Sequence, residues 1–359
     1  MLKITALCSL VLCCALAVAQ DKPLLENGSF EAVKTVKPDA NGIINGWKLV
    51  GEPLLPGPWV LNSHYTGTLE MPADTAQEGK RYVRLTGGPN GGHIYQPLQG
   101  VTPGQWYKIT LCARGRGGEI STCHYFKTGP MGGAQLGRLP AAEQWRQFAT
   151  YWQAPAENFA SASLALSAAT DQTLEVDDVR IAPLAVPAVA PGQKDIVFEN
   201  DVLRFAITPL GLLSDFTCKP TKQSYLGEPS PLPVVTLVRD GRTVPTHGAS
   251  VRGDRITFRF LEPEVSATLR VTARPTHFLI EVVDVQPADV DSLSLQFPVK
   301  RLAKLGWAFG ATYDDTFGMC LFCASINSHN RMSSQPQSAV LGGACDRKHG
   351  MVGAKFVLI

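Results

Sequence analysis

Short runs of alternating apolar and polar residues, separated by Gly, Pro and Asn turns, fill most of this 359-residue chain. Successive residues of a strand point to opposite faces, so such runs predict half-buried strands. The clearest runs lie in the second half: Leu203, Phe205 and Ile207; Ile256, Phe258 and Phe260; Ala267, Leu269 and Val271; Phe278, Ile280 and Val282; Leu293, Leu295 and Phe297. No segment has sustained helical periodicity. The pattern predicts an all-β protein that ends in an antiparallel sandwich.

Composition agrees with this fold class and excludes two others. The 33 Gly and 26 Pro residues favour a turn-rich β architecture over helical bundles. A hydrophobic fraction of 45% excludes a disordered chain, because it supplies enough apolar area for two cores. The formal net charge of +2 argues against a nucleic acid partner that is held by bulk charge.

A Pro/Ala-rich stretch over residues 182–192 divides the chain, since it holds three prolines and no charge. We therefore expect a first domain at residues 20–183, a linker at 184–193 and a second domain at 194–359. The apolar, strand-like ending at 353–359 indicates a chain that is truncated at its C-terminus.

The N-terminus has the pattern of a cleaved signal peptide. Lys3 precedes an uncharged run from Ile4 to Val18, and Ala17 and Ala19 supply the small residues at a cleavage site. Residues 1–19 are thus predicted to be removed, which makes the mature protein secreted, periplasmic or attached to the cell surface. The run is too short to span a bilayer, and the mature chain is predicted to have no membrane span.

Six cysteines remain after the predicted signal peptide, in a compartment that permits disulfides. Two predicted strands flank Gly117 and Gly118, a strong signal for a two-residue hairpin turn. In that register Cys112 and Cys123 lie directly opposite each other. The pair forms either a cross-strand disulfide or two buried free thiols.

The first domain contains an ordered set of motifs. It opens with the sequence LLENGSFE at residues 24–31, followed by Gly46-Trp47, and it closes with LEVDDVRI at residues 174–181. Between them lie Gln96-Pro97 and the sequence GQWY at residues 104–107. In order and spacing, residues 24–183 resemble the carbohydrate-binding modules of families 4, 9 and 22. These are galactose-binding-like jelly rolls found on exported proteins that degrade polysaccharides.

A jelly roll closes by pairing its first and last strands, which brings the opening and closing motifs together. Glu31 would then approach Asp177 and Asp178 as a cluster of hard oxygen ligands. The resemblance implies a structural Ca²⁺ at Glu31 and Asp177, with Asp178 and a backbone carbonyl near Lys80 as further ligands. Alternatively, one aspartate is solvated and another pairs with a cation such as Arg180.

The resemblance also implies binding of a polysaccharide or oligosaccharide, which requires aromatic faces for the sugar rings and polar groups for the hydroxyls. Trp47, Tyr107 and Trp145 occupy frame positions and are assigned to the core. The platform candidates lie in loops and variable strands: Trp59, Tyr65, His93, Tyr95 and Tyr125. Gln96 and Asn90 are candidates for hydroxyl contacts.

The second domain resembles the N-terminal, mutarotase-like β-sandwich of exported glycoside hydrolases, through the sequence FENDVLRFAI at 198–207 and GLLSDF at 211–216. Such a sandwich usually precedes a separate catalytic domain. Common catalytic motifs are absent from the sequence, and Asp314-Asp315 is its best carboxylate pair. We assign that pair to a solvated loop, and therefore name no catalytic residue.

Three hypotheses follow for function. The first is an exported, non-catalytic, glycan-binding region of a carbohydrate-active protein. The second is a glycoside hydrolase that acts on O-glycosyl bonds, and the third is a cell-surface structural or adhesion protein. A zinc site formed by Cys320, Cys323, Cys345 and His349 is disfavoured, because export favours disulfides or buried thiols over zinc thiolates.

Overall fold

The computed structural model describes residues 23–186, 192–227 and 232–359. The predicted signal peptide lies outside the described residues, as does half of the predicted linker, residues 187–191. Within the described ranges the protein is all-β, as predicted, and its one helical element is a 3₁₀ turn at Trp307–Phe309. No helix in those ranges has the length and apolar character that crossing a membrane requires.

Fourteen strands form the first half of the chain, residues 23–186. They are β1 (Val33–Thr35), β2 (Ile43–Ile44), β3 (Trp47–Val50), β4 (Leu54–Pro56), β5 (Val60–Leu61), β6 (Gly67–Glu70), β7 (Val83–Gly87), β8 (Gly92–Pro97), β9 (Trp106–Gly115), β10 (Gly118–Phe126), β11 (Gly132–Leu139), β12 (Ala142–Gln153), β13 (Phe159–Ala168) and β14 (Thr173–Leu184).

Two sheets face each other across the core of this half. The five-stranded sheet has the order β11-β10-β13-β8-β5, and the seven-stranded sheet has the order β12-β9-β14-β7-β6-β3-β2. From β7 to β10 and from β12 to β14, consecutive strands alternate between the sheets, as in a jelly roll. The core between them holds Trp47 and Tyr107, as predicted, together with Ile94, Leu164 and Leu166. Trp145, also assigned to the core, is instead half-buried outside it, where its Nε1–H donates to the carbonyl oxygen of Thr75.

The two ends of the first half lie together, as jelly-roll closure predicts. The backbone N–H of Val179 donates to the carbonyl oxygen of Gly28 at 2.9 Å. Any side chain at Gly28 would overlap the backbone of Val179, so this close approach requires glycine.

Eighteen strands form the second half, residues 192–359. They are β15 (Ile196–Glu199), β16 (Leu203–Ile207), β17 (Leu213–Cys218), β18 (Gln223–Ser224), β19 (Val235–Arg239), β20 (Arg242–Val244), β21 (Thr246–Arg252), β22 (Arg255–Phe260), β23 (Ser266–Arg274), β24 (His277–Gln286), β25 (Val290–Lys300), β26 (Lys304–Gly306), β27 (Ala311–Tyr313), β28 (Gly318–Cys323), β29 (His329–Asn330), β30 (Ser333–Ser334), β31 (Ser338–Asp346) and β32 (Lys355–Leu358).

These strands pair antiparallel in sheets of four, six and eight strands. The eight-stranded sheet has the order β21-β22-β23-β24-β32-β28-β27-β26. All five alternating runs from the sequence are strands here, and their apolar faces fill the core of the second half, which includes Phe205, Phe258 and Phe297. The finer resemblance to a mutarotase-like domain stays a prediction.

Candidate functional site

The outer face of the five-stranded sheet has a floor of small side chains. In β13 the side chains of Leu164 and Leu166 enter the core, so strand alternation turns Ser163, Ala165 and Ser167 outward. Across the ladder, Ala165 pairs with Ser121 of β10. Of these three side chains, Ser163 and Ala165 are buried, at 2% and 0% exposed, and Ser167 is partly exposed.

Three aromatic rings form one wall beside this floor. The ring of Tyr65 stacks on the imidazole of His93, with centroids 4.8 Å apart and planes at 17°. Tyr95 lies two residues further along β8, with its centroid 6.3 Å from that of His93. The register places Tyr95 opposite Ala165 and His93 opposite Ser167. Three of the five predicted platform residues therefore lie together.

His93 is held in place within this wall. Its Nδ1 lies 2.9 Å from the Oγ of Ser167, within hydrogen-bond distance. Burial lowers the pKa of His93 below its ordinary value of 6.5, so the ring is neutral at neutral pH. A neutral imidazole beside a hydroxyl is a polar group of the kind that pairs with sugar hydroxyls.

The opposite wall is formed by β10 and β11. Tyr125 is 39% exposed, the largest exposed ring of this half. Glu119 of β10 pairs across the ladder with Arg138 of β11, and Ser121 pairs with Gln135. Tyr125 lies opposite Ser161 of β13, about 20 Å along β10 from Glu119 at the rise of a strand, so the exposed ring and the Glu119–Arg138 pair lie at opposite ends of β10.

The polar part of this wall was missed from the sequence. Glu119, Gln135 and Arg138 carry no motif, and only the strand register brings them to the small-residue floor. The floor could have been predicted from the sequence ASASLALSA at residues 160–168, in which small residues alternate with apolar ones.

Two sequence predictions on this site are wrong. Trp59 is 4% exposed; it packs on Phe30 in the core with ring centroids 5.4 Å apart, so no face is free for a sugar. Gln96 is 2% exposed on β8 and cannot reach a ligand on the outer face. Asn90, by contrast, is exposed in the turn before β8.

The predicted calcium ligands lie around a loop at residues 77–81. Asp177 is fully buried, and its Oδ2 accepts hydrogen bonds from the backbone N–H groups of Gln77 at 2.7 Å and Glu78 at 2.8 Å. Its Oδ1 accepts a third, from the N–H of Asp178 at 2.7 Å. Burial raises the pKa of Asp177, although these three hydrogen bonds oppose the effect.

Glu31 holds the other side of the same loop. Its Oε1 accepts hydrogen bonds from the backbone N–H groups of Lys80 at 2.5 Å and Arg81 at 2.7 Å. Carboxylates from the two ends of the first half therefore bind the same loop through backbone N–H donors. These donors offset the negative charge of both carboxylates.

Calcium takes six to eight oxygen ligands, and in this arrangement both oxygens of Asp177 accept backbone N–H groups. Asp178 pairs with Arg180, as the alternative interpretation of the cluster proposes, and Lys80 presents its N–H group to Glu31. Calcium at this loop stays a prediction of the family resemblance.

Of the two alternatives for Cys112 and Cys123, the structure has the free thiols and not the cross-strand disulfide, because their strands do not form one ladder. Cys112 lies on β9 opposite Gln147 and Asp177 in the seven-stranded sheet, whereas Cys123 lies on β10 in the five-stranded sheet. The turn between β9 and β10 crosses from one sheet to the other.

Asp314 and Asp315, the best carboxylate pair of the sequence, contact neighbouring residues of the second half. Asp314 Oδ1 accepts hydrogen bonds from the backbone N–H groups of Thr316 at 2.7 Å and Phe317 at 2.8 Å, which stabilises the turn between β27 and β28. Asp315 pairs with Lys304 at 2.5 Å. These partners give the two carboxylates different local roles.

No family model matches this chain, and no curated protein matches it either. Among solved structures, it is similar to the CBM22-1–GH10 modules of the Clostridium thermocellum endo-1,4-β-D-xylanase 10B, complexed with xylohexaose. Identity is 16%, the TM-score is 0.31, and the match covers 37% of this chain and only 27% of that one.

Two isolated modules are matched over most of their length. The CBM22-1 xylan-binding domain of Paenibacillus barcinonensis xylanase 10C is 15% identical with a TM-score of 0.30, over 36% of this chain and 87% of that one. A family 4 carbohydrate-binding module is 18% identical with a TM-score of 0.29, over 44% of this chain and 97% of that one.

Proposed function

We propose that the first half of this chain binds a polysaccharide or oligosaccharide on the outer face of its five-stranded sheet. The observation that carries the proposal is the group of aromatic rings beside the small side chains of β13. One wall presents the Tyr65, His93 and Tyr95 rings. Tyr125 is exposed further along β10, opposite Ser161 of β13.

This arrangement suits the chemistry of a sugar chain. Pyranose rings present apolar C–H faces that pack on aromatic rings, and hydroxyls at their edges that require polar partners. The carboxylate of Glu119 and the guanidinium of Arg138 are suited to charge-assisted hydrogen bonds with sugar hydroxyls, which are stronger than hydrogen bonds between neutral groups. These contacts bind a sugar chain without cleaving a bond, so the proposed role of the region is that of a binding module.

We further propose that the protein is exported, as the signal-peptide pattern at residues 1–19 implies, and that its role is non-catalytic. By binding the glycan, this region keeps the carbohydrate-active protein to which it belongs attached to that glycan. Structural relatives whose names refer to xylan supply a first set of probes, namely xylo-oligosaccharides.

A glycan array tests the proposal, using the whole mature chain and a variant that fills the floor. Ser121 lies on the floor and is half-buried, so Ser121→Trp places an indole between the two walls. We expect the wild type to bind a defined set of glycans and Ser121→Trp to lose them while its circular dichroism is unchanged. Absence of wild-type binding to every glycan would contradict the proposal, and so would unchanged binding by Ser121→Trp.

A further inference from the structure

One side chain of the first half is buried in the core of the second. Tyr151 lies on β12, yet its ring packs within the cluster built from Leu261, Phe260 and their neighbours. It is 7% exposed. This large aromatic ring is covered by residues more than a hundred positions away in the sequence. It therefore forms a packed contact between the two halves.

Strand alternation explains why this ring faces outward. Trp152 enters the core of the first half, so its neighbour Tyr151 points away from that core. Tyr151 pairs with Lys108 of β9, while Trp106 of the same strand pairs with Leu184 of β14. Trp106 and Leu184 also pack against the core of the second half.

A buried carboxylate of the second half receives the tyrosine hydroxyl. The Tyr151 Oη donates to Glu262 Oε1 at 3.1 Å. Arg242 Nη2 donates to the same oxygen at 2.7 Å, and Arg239 Nη1 donates to Glu262 Oε2 at 2.9 Å. Glu262 is 7% exposed. Its charge is therefore balanced within the contact, as a buried carboxylate requires.

We propose that Tyr151 docks the seven-stranded sheet onto the Glu262 cluster, so that the two halves move in solution as one body. The docked partner is the second half of the same chain. The contact uses the seven-stranded sheet, and the turn between β19 and β20 also approaches β11 of the five-stranded sheet near Arg138 and Pro140. The outer face of the five-stranded sheet thereby keeps a constant direction relative to the second half. This inference does not depend on what that face binds.

The charges around Glu262 make the docking sensitive to a single substitution. Tyr151→Asp removes the ring and sets a second carboxylate beside Glu262, where like charges repel. Gln144→Asp is the matched control, since Gln144 is an exposed residue on the same strand. Leu184→Asp is a second test variant, which perturbs the apolar side of the contact.

Hydrogen exchange at residues 260–264 and small-angle scattering of the whole mature chain measure the docking. We expect the wild type and Gln144→Asp to share one compact scattering profile. Tyr151→Asp and Leu184→Asp should extend the particle and accelerate exchange at 260–264 about tenfold or more, the factor expected for loss of a hydrogen bond to a charged group.

Two results would overturn the proposal. One is a wild-type profile that already requires a spread of orientations between the halves. The other is unchanged scattering and exchange in both Tyr151→Asp and Leu184→Asp. If one variant unfolds, shown by loss of its near-ultraviolet circular dichroism, the other variant decides.

Discussion

The imidazole of His93 lies flat against the ring of Tyr65, 4.8 Å away between centroids, while its Nδ1 lies 2.9 Å from the Oγ of Ser167. The contact joins a loop residue to a strand residue and thereby sets one wall of the proposed glycan site. It also explains why His93 is only 8% exposed on a face that points to solvent.

Removing the Tyr65 ring that covers His93 should change the pKa of His93. Burial lowers the pKa of this imidazole, so Tyr65→Ala is expected to raise it towards the ordinary value of 6.5. Tyr95→Ala is the control, because that ring is 6.3 Å away and tilted by 44°. NMR titration of the His93 ring protons measures both shifts. An equal pKa in Tyr65→Ala and the wild type would contradict the assigned cause.

Acid should destabilise the first half through a second buried imidazole, that of His124. Its Nε2 accepts a hydrogen bond from Trp152 Nε1 at 3.0 Å, and burial lowers its pKa below 6.5. The unfolded chain therefore binds the proton more readily, so stability falls as pH drops below about 6.5 towards the lowered folded pKa. Urea unfolding at pH 7 and pH 5 measures the loss.

The matched variants are His124→Gln and His64→Gln, since His64 is exposed. We expect His124→Gln to be less stable than the wild type at pH 7 but to lose less stability on acidification. An acid loss in His124→Gln as large as in the wild type would contradict this assignment.

Asp177→Asn should destabilise the first half by about 2–4 kcal/mol, because three backbone N–H groups lose a charged acceptor at a buried position. Glu157→Gln, at an exposed loop position, is the control and should change the free energy of unfolding by less than about 0.5 kcal/mol. Chemical unfolding measures both. A variant as stable as the control would show that Asp177 does not hold the loop.

Calcium should leave thermal stability unchanged if the N–H donors fully satisfy Asp177 and Glu31. A ligand that binds only the folded state raises the melting temperature with its concentration. We therefore expect equal melting temperatures in millimolar EDTA and millimolar calcium. A rise in calcium that disappears in Glu31→Gln would instead support the metal site that the family resemblance implies.

The strands were predictable because each run satisfies one local rule, the period of two. Leu203, Ile256 and Phe278 start apolar faces that alternate as the sequence does. Closure of the first half was also predictable, since the Gly28–Val179 contact joins the two ends of a recognisable set of motifs.

The wrong predictions concern features that are decided by residues far apart in the sequence. The Gly117-Gly118 turn predicts a hairpin, yet the chain uses it to change sheets, which separates Cys112 from Cys123. Trp59 precedes a two-residue strand, and nothing local shows that its ring folds inward against Phe30. The Glu119–Arg138 pair depends on a register that only the folded sheet supplies.

The glycan-binding account is tested most directly by calorimetric titration of array-selected glycan into Tyr125→Ala and Tyr313→Ala. The two tyrosines are matched in exposure, at 39% and 40%, but only Tyr125 lies beside the proposed site. Loss of sugar stacking on one aromatic ring costs roughly tenfold or more in affinity. We predict that loss for Tyr125→Ala and wild-type affinity for Tyr313→Ala. Equal affinities in the two variants would contradict the assignment of the glycan site to the five-stranded sheet.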